Sequence, residues 1–187
     1  MLRIYCTKKL EKFIGNVDQE LPSDIIHKSI FDWNAHLFFV ERKKSIAFIN
    51  NRTAYSVFLT DIKKKDLEVI DLYFYRRLIN QFRHDKVINE NESFEKLFPS
   101  GNLKFYKTNN DRKTIGRIND FVDMFKTHLD YKYGELKYMD ITYENGLFNR
   151  TLTGIPGETK KTWSNPVENM INEIKTSAQH GNRCTSP

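Results

Sequence analysis

The sequence predicts a single α+β domain in which an antiparallel β-meander sheet carries about three main helices packed on one face. Three observations predict it. Between Trp33 and Leu59, three strand-like apolar segments are separated by two very short polar breaks. From about Asp61 the apolar period lengthens from two to about 3.6, which puts Leu67, Ile70, Phe74, Leu78 and Phe82 on one helical stripe. After a polar loop, Ile115, Ile118, Val122, Phe125 and Leu129 form a second stripe at the same spacing. Stripes this apolar have to be buried, and the sheet is the surface on which to bury them.

Taken in order, Leu2 to Cys6 alternates like an edge or half-buried strand beside the meander. Thr7 then offers an N-cap oxygen to a short helix carrying Leu10, Phe13 and Ile14, which Gly15 closes. Residues 16 to 32 read as a connector, with a helical turn beginning at Ser23-Asp24. The meander runs Asn34 to Val40, a turn near Arg42-Lys43-Lys44, Ser45 to Asn50, a turn at Asn50-Asn51, and Thr53 to Leu59. Paired asparagines suit a tight hairpin because Asn tolerates positive φ. The helix from Asp61 carries Arg76, Arg77 and Arg83 late in its length, where cations suit the helix dipole.

Residues 85 to 98 read as a shorter helix ended by Pro99-Ser100-Gly101, and Leu103 to Lys107 as a fourth meander-like strand. Thr108 to Lys113 is the polar loop before the second long helix, and Gly134 stands where a C-terminal glycine belongs. Residues 135 to 163 are irregular, with a strand predicted at Tyr138 to Tyr143. Asn165-Pro166-Val167-Glu168 combines an N-cap, a proline in the first helical position and a following Glu. It opens a terminal helix whose buried stripe is Val167, Met170, Ile171 and Ile174. The domain is expected to span residues 1–175, with a flexible tail over 176–187.

A chain of 187 residues with 39% apolar and 13% aromatic residues can build a real, aromatic-rich core. Its net charge of +6 is a weak pointer to phosphates or acidic partners. Cys6 and Cys184 are the only cysteines, which excludes a disulfide framework or a CxxC metal site. No signal-peptide core opens the chain and no apolar run reaches about 18 residues, so a soluble cytoplasmic protein without a membrane partner is expected. The sequence contains no nucleophile elbow, phosphate-cradling glycine loop or metal-ligand cluster. It therefore assigns no cofactor, metal or catalytic residue, and leaves open whether the protein is an enzyme.

Three constellations stand out. In Asn109-Asn110-Asp111-Arg112-Lys113-Thr114-Ile115-Gly116-Arg117, followed by Asn119-Asp120, Arg112 and Arg117 are placed to clamp a phosphate or carboxylate at a helix start. The structural alternative has Asp111 or Thr114 capping the helix and Gly116 packing on the sheet. Trp33-Asn34-Ala35-His36 offers a stacking platform, or else a Trp that closes the core and a solvent-facing His. The basic groups Lys8-Lys9, Arg42-Lys43-Lys44, Lys63-Lys64-Lys65 and Lys160-Lys161 would make a nucleic-acid footprint only if gathered on one face. Asp120 and Asp123 lie on adjacent turns, as cation ligands or as first-turn acids.

Several blocks carry a resemblance: Arg3-Ile4-Tyr5-Cys6-Thr7-Lys8-Lys9-Leu10, Trp33 to Phe38, Asn50-Asn51-Arg52-Thr53, Lys107-Thr108 with Arg112 to Phe121, and Asn149-Arg150. In this order they resemble a family of uncharacterised bacterial proteins catalogued as a domain of unknown function. The resemblance implies no activity, but it implies that Arg52-Thr53 and Arg112 through Asp120 are recurrent polar blocks. The functional expectation is a binding module for a macromolecular partner, an unidentified protein or a nucleic acid. Its binding residues are expected to be Arg52, Arg112, Arg117, Asn119 and Asp120, with Trp33 as a flanking anchor. The alternatives are an enzyme acting on a phosphate-bearing substrate, of nuclease or phosphoesterase type, and a nucleic-acid-binding module.

Overall fold

The computed structural model describes residues 1–18, 29–89, 94, 98, 103–154 and 163–181. Its main sheet has five strands: β1 (Leu2–Cys6), β2 (Asp32–Val40), β3 (Lys43–Asn50), β4 (Ser56–Leu59) and β5 (Leu103–Tyr106), in the spatial order β4-β3-β2-β1-β5. Five helices accompany it among the described residues: α1 (Lys8–Ile14), α2 (Ile70–His84), α3 (Arg112–His128), α4 (Ile141–Phe148) and α5 (Pro166–Gly181). A two-stranded ribbon, β6 (Thr153–Gly154) with β7 (Trp163–Ser164), lies between α4 and α5 in the chain. Among the described residues no helix is long and apolar enough to cross a membrane.

The meander is present but is only part of the sheet. Strands β2, β3 and β4 are antiparallel in the expected order, whereas β1 runs parallel to β2 on one side and to β5 on the other. The sheet is thus mixed rather than purely antiparallel. The reason is the connection: β1 reaches β2 through α1 and not through a hairpin, and only a crossover of that kind can make parallel neighbours.

Helices cover both faces, not one. Leu2, Ile4 and Cys6, with Trp33, Ala35, Leu37, Phe48 and Val57, point to a face where α2 contributes Phe74, Leu78 and Phe82, α5 contributes Val167, Met170 and Ile174, and α1 contributes Leu10. On the opposite face Phe38, Val40, Ala47, Ile49 and Phe58 meet Ile118, Phe121, Val122 and Phe125 of α3 and Phe148 of α4. Phe58 holds that side together, with its ring 5.1 Å from Phe125 and 6.0 Å from both Phe38 and Phe148.

The turns show where local chemistry decided. The β2–β3 hairpin closes on Glu41 and Arg42, both with positive φ (48° and 64°), one residue earlier than expected and with the twist that two-residue hairpins favour. After β3 neither Asn50 nor Asn51 has positive φ, and Ala54 takes it instead (61°). Asn50 works through its side chain: Oδ1 accepts from the Arg52 and Thr53 amides at 3.1 and 3.0 Å, and Nδ2 donates to the carbonyls of Ser29, Ile30 and Asp32, each at 3.1 Å.

The helix ends follow the same logic. Thr7 precedes α1 without capping it, because its hydroxyl is hydrogen-bonded to His36 Nδ1 at 3.1 Å. Asp111 caps α3, accepting from the Thr114 amide at 3.1 Å and the Thr114 hydroxyl at 2.9 Å, and Asn165 Oδ1 caps α5 through the Glu168 amide at 2.8 Å. Gly134, with φ of 70°, closes the wide turn Leu129–Tyr133 that extends α3. The strand expected over Tyr138 to Tyr143 is helix instead: a short turn at Leu136–Tyr138 leads into α4, where Asp140 accepts from the Thr142 and Tyr143 amides, each at 3.0 Å. Helix α5 continues to Gly181, past the expected boundary at residue 175. The helical turn at Ser23-Asp24 lies outside the described residues, as does half of the short helix expected over 85–98.

Candidate functional site

Helix α3 shows solvent a polar stripe and hides an apolar one, and where the two stripes meet it borders a cleft. There Arg117, Asp120, Phe121 and Met124 form a wall of a cleft whose opposite wall is Thr151, Leu152, Thr153, Gly154 and Trp163. Its volume is about 280 Å³. Arg117 Nη2 ties the walls together by donating to the Gly154 carbonyl at 2.8 Å. Burial pulls the Arg117 pKa down against the opposing pull of Asp111 and Asp120, so this guanidinium is partly stripped of water and its charge is strongly felt nearby. Thr153 Oγ1 is buried and has no hydrogen-bond partner among the described residues.

Two large apolar side chains rim this cleft in water: Leu152 is 62% exposed and Trp163 61%. Other large side chains are exposed as well, Tyr131 and Tyr138 more fully than these, and what sets Leu152 and Trp163 apart is that both line the same cleft. Nothing in the sequence reading pointed to Leu152, Met124 or Trp163. The available signal was a tryptophan within a polar stretch that has no apolar periodicity.

The expected site residues are only partly gathered. Arg117 and Asp120 share the cleft. Arg112 and Asn119 are exposed on the outer stripe of the same helix, with no partner among the described residues. Gly116 lies between them and packs on nothing, since a Cβ there would meet no atom within 4 Å. Arg52 stands on the β3–β4 loop and its Nε donates to Glu173 of α5 at 2.8 Å. That loop connects back to the cleft through Asn169, which donates to the Thr53 carbonyl at 3.4 Å and accepts from Ser164 beside Trp163 at 2.7 Å. Trp33 cannot flank any surface site: it is 0% exposed, donates to the Ile30 carbonyl at 2.9 Å and meets Phe74 edge-on at 5.4 Å. It belongs to the core because it shares strand parity with Ala35 and Leu37. His36 is half-buried, and burial, with Lys9 and Lys126, pulls its pKa down.

Two buried polar hubs deserve separation from this site. Asp85, at the end of α2, accepts from Tyr55 OH at 2.6 Å, Gln81 Nε2 at 3.0 Å and Asn149 Nδ2 at 3.3 Å on one oxygen, and from Arg150 Nη1 at 2.6 Å on the other, which also lies 3.1 Å from His84 Nδ1. Asn149 and Asn145 then bond the backbone of Ser56, as a neighbouring strand would at that edge of the sheet. Gly146 is required here, because a Cβ would lie 2.7 Å from His84 and 2.8 Å from Asp85. The second hub is Glu144, which takes hydrogen bonds from His128, from Tyr133 OH at 2.7 Å and from Lys132 at 3.3 Å. Both carboxylates are fully buried. The first joins α2 and α4 to the edge of the sheet and the second joins α4 to α3 and the turn after it, so Asn149-Arg150 is explained by the fold.

Residues 3–169 match the model of a family described as a domain of unknown function, DUF6933. The chain belongs to this family. No curated protein and no solved structure matches it. The span matched to DUF6933 contains both walls of the cleft, the Asp85 and Glu144 hubs and the first residues of α5, so all these features lie inside the domain that defines the family.

Proposed function

We propose that this DUF6933 protein is a non-enzymatic binding module that takes a short segment of a protein partner into the cleft between α3 and the β6–β7 ribbon. The observation that carries this reading is the pair of exposed apolar residues, Leu152 and Trp163, set over Phe121 and Met124 and flanked by Arg117 and Asp120. Tryptophan, methionine and arginine are the residue types that interface centres concentrate, and desolvated anchors of this kind supply most of the binding energy. Arg112 and Asn119 extend a polar rim along α3, and Arg52 lies further round on the loop joined to the cleft by Asn169. A protein segment fits better than a nucleic acid, because among the described residues the cleft wall carries one cation against one anion and no lysine, whereas a phosphate backbone calls for several cations.

The test is site-directed photo-crosslinking in extract from cells expressing the protein, with the reactive residue at Leu152 or, as a control, at the exposed Lys175 of α5. A discrete protein adduct at position 152 that is absent at 175 is the expected result. Equal labelling at both positions, or none at 152, rules the cleft out.

A further inference from the structure

The parallel part of the sheet opens a second site, on different residues from the cleft. Strands β1 and β5 are adjacent and parallel, so their carboxyl ends, at Cys6 and Tyr106, lie side by side. The chain leaving β1 enters α1, whose Leu10 packs on the face shared with α2 and α5. The chain leaving β5 passes through residues 107–111 into α3, which packs on the opposite face. Two neighbouring parallel strands whose connections depart to opposite faces leave a crevice outside their carboxyl ends, and in open α/β sheets that crevice is where ligands bind.

A depression of about 370 Å³ occupies this place, lined by Lys8, Glu11 and Lys12 from α1 and by Lys107, Thr108 and Asn110 from the loop after β5. Its volume lies at the lower end of the roughly 300–1,000 Å³ typical of small-molecule sites. Among the described residues that line it, three lysines from two separate segments stand with one carboxylate, Glu11, while the nearby Asp111 carboxylate is engaged on Thr114. The loop is shaped locally: Asn110 has φ of 55° and its amide bonds the Thr108 hydroxyl at 3.1 Å, which turns the chain at the crevice wall.

We infer that this crevice binds the phosphate of a small phosphorylated molecule of mononucleotide size. Lys8, Lys12 and Lys107 supply the charge, Thr108 and Asn110 supply neutral hydrogen bonds, and Glu11 accepts from hydroxyls on the rest of the ligand. Lysine serves as a point charge toward phosphate, and three of them from two segments of the chain line one concavity.

The experiment is calorimetric titration of the full chain with AMP and with inorganic phosphate, repeated on Lys12→Gln, Lys107→Gln, their double variant and a Lys175→Gln control. These positions lie on helix surface or loop, and matching thermal melts will show each variant folded. AMP is expected to bind at one site per chain, inorganic phosphate to compete more weakly, and the double variant to lose at least about tenfold in affinity while Lys175→Gln keeps it. Absence of saturable AMP binding overturns the inference. So does an equal loss in Lys175→Gln, which would mean diffuse charge. Tight binding of a single-stranded oligonucleotide that AMP fails to displace also overturns it, since the surface would then be an extended nucleic-acid track. Loss of the Leu152 adduct leaves this result untouched, so the two sites stand or fall separately.

Discussion

Replacing Asp85 with Ala is expected to cost about 3–5 kcal/mol of folding stability and roughly 10 °C in melting temperature. The side chain has no solvent exposure, and its loss strands Tyr55 OH and the Gln81 and Asn149 amides inside the protein and frees Arg150 from its partner. Burial by itself would raise the Asp85 pKa, but hydrogen bonds from Tyr55, Gln81, Arg150 and His84 outweigh it and hold the carboxyl below its usual 3.8. Glu144 is likewise held below its usual 4.5, burial being outweighed by His128, Tyr133 and Lys132. Because both folded-state values are depressed, their stabilisation is complete above the ordinary carboxylate range and is lost as pH falls below it toward the folded values. Urea unfolding as a function of pH should therefore show a steep loss below about pH 4, shallower in Asp85→Asn because one of the two depressed groups is gone. A wild-type-like midpoint for Asp85→Ala would show that the hub contributes little.

Trp33→Ala is expected to destabilise by a similar amount, about 3–5 kcal/mol, through the cavity left against Phe74 and the loss of the bond to the Ile30 carbonyl. Trp33→Phe should recover much of that, since an aromatic ring still meets Phe74 and what is lost is the N–H bond and the volume of the second ring. Denaturant titration measures both. The folded fraction of Trp33→Ala should bind a partner as the wild type does, because this side chain never reaches the surface. Full stability in Trp33→Ala, or a selective loss of binding, would contradict the placement.

Trp33 also shows how far the sequence could be read. It stands two and four residues before Ala35 and Leu37, so strand parity alone puts it with the buried set, and its attraction as an anchor came from residue type and not from position. The meander, α2, α3 and α5 were legible because hydrophobic period and caps are local signals, and Asp111, Gly134 and Asn165 all act at helix ends. Parallel pairing of β1 with β2 and β5 was not legible, since register between distant strands leaves no local trace. The covering of both faces was hinted at by Ile4, Tyr5 and Cys6, three consecutive residues that are all fully buried. Helix α4 was hidden by Thr142 and Tyr143, which favour strands, although Asp140 and Glu144 already formed a helix start. Of the candidate site, Arg117 and Asp120 were legible from the loop–helix pattern. Leu152 and Trp163 were not, because an exposed apolar residue can be recognised only when the packing around it is known.

Fluorescence of Trp163 tests the cleft most directly. In Trp33→Phe it is the sole tryptophan, and its 61% exposure predicts a red emission maximum that acrylamide quenches readily. On titration with the protein captured at position 152, the emission should move to the blue and quenching should fall, and Leu152→Asp should weaken that binding by about tenfold or more. A partner that saturates the protein while Trp163 stays red and fully quenchable would place recognition elsewhere on the molecule.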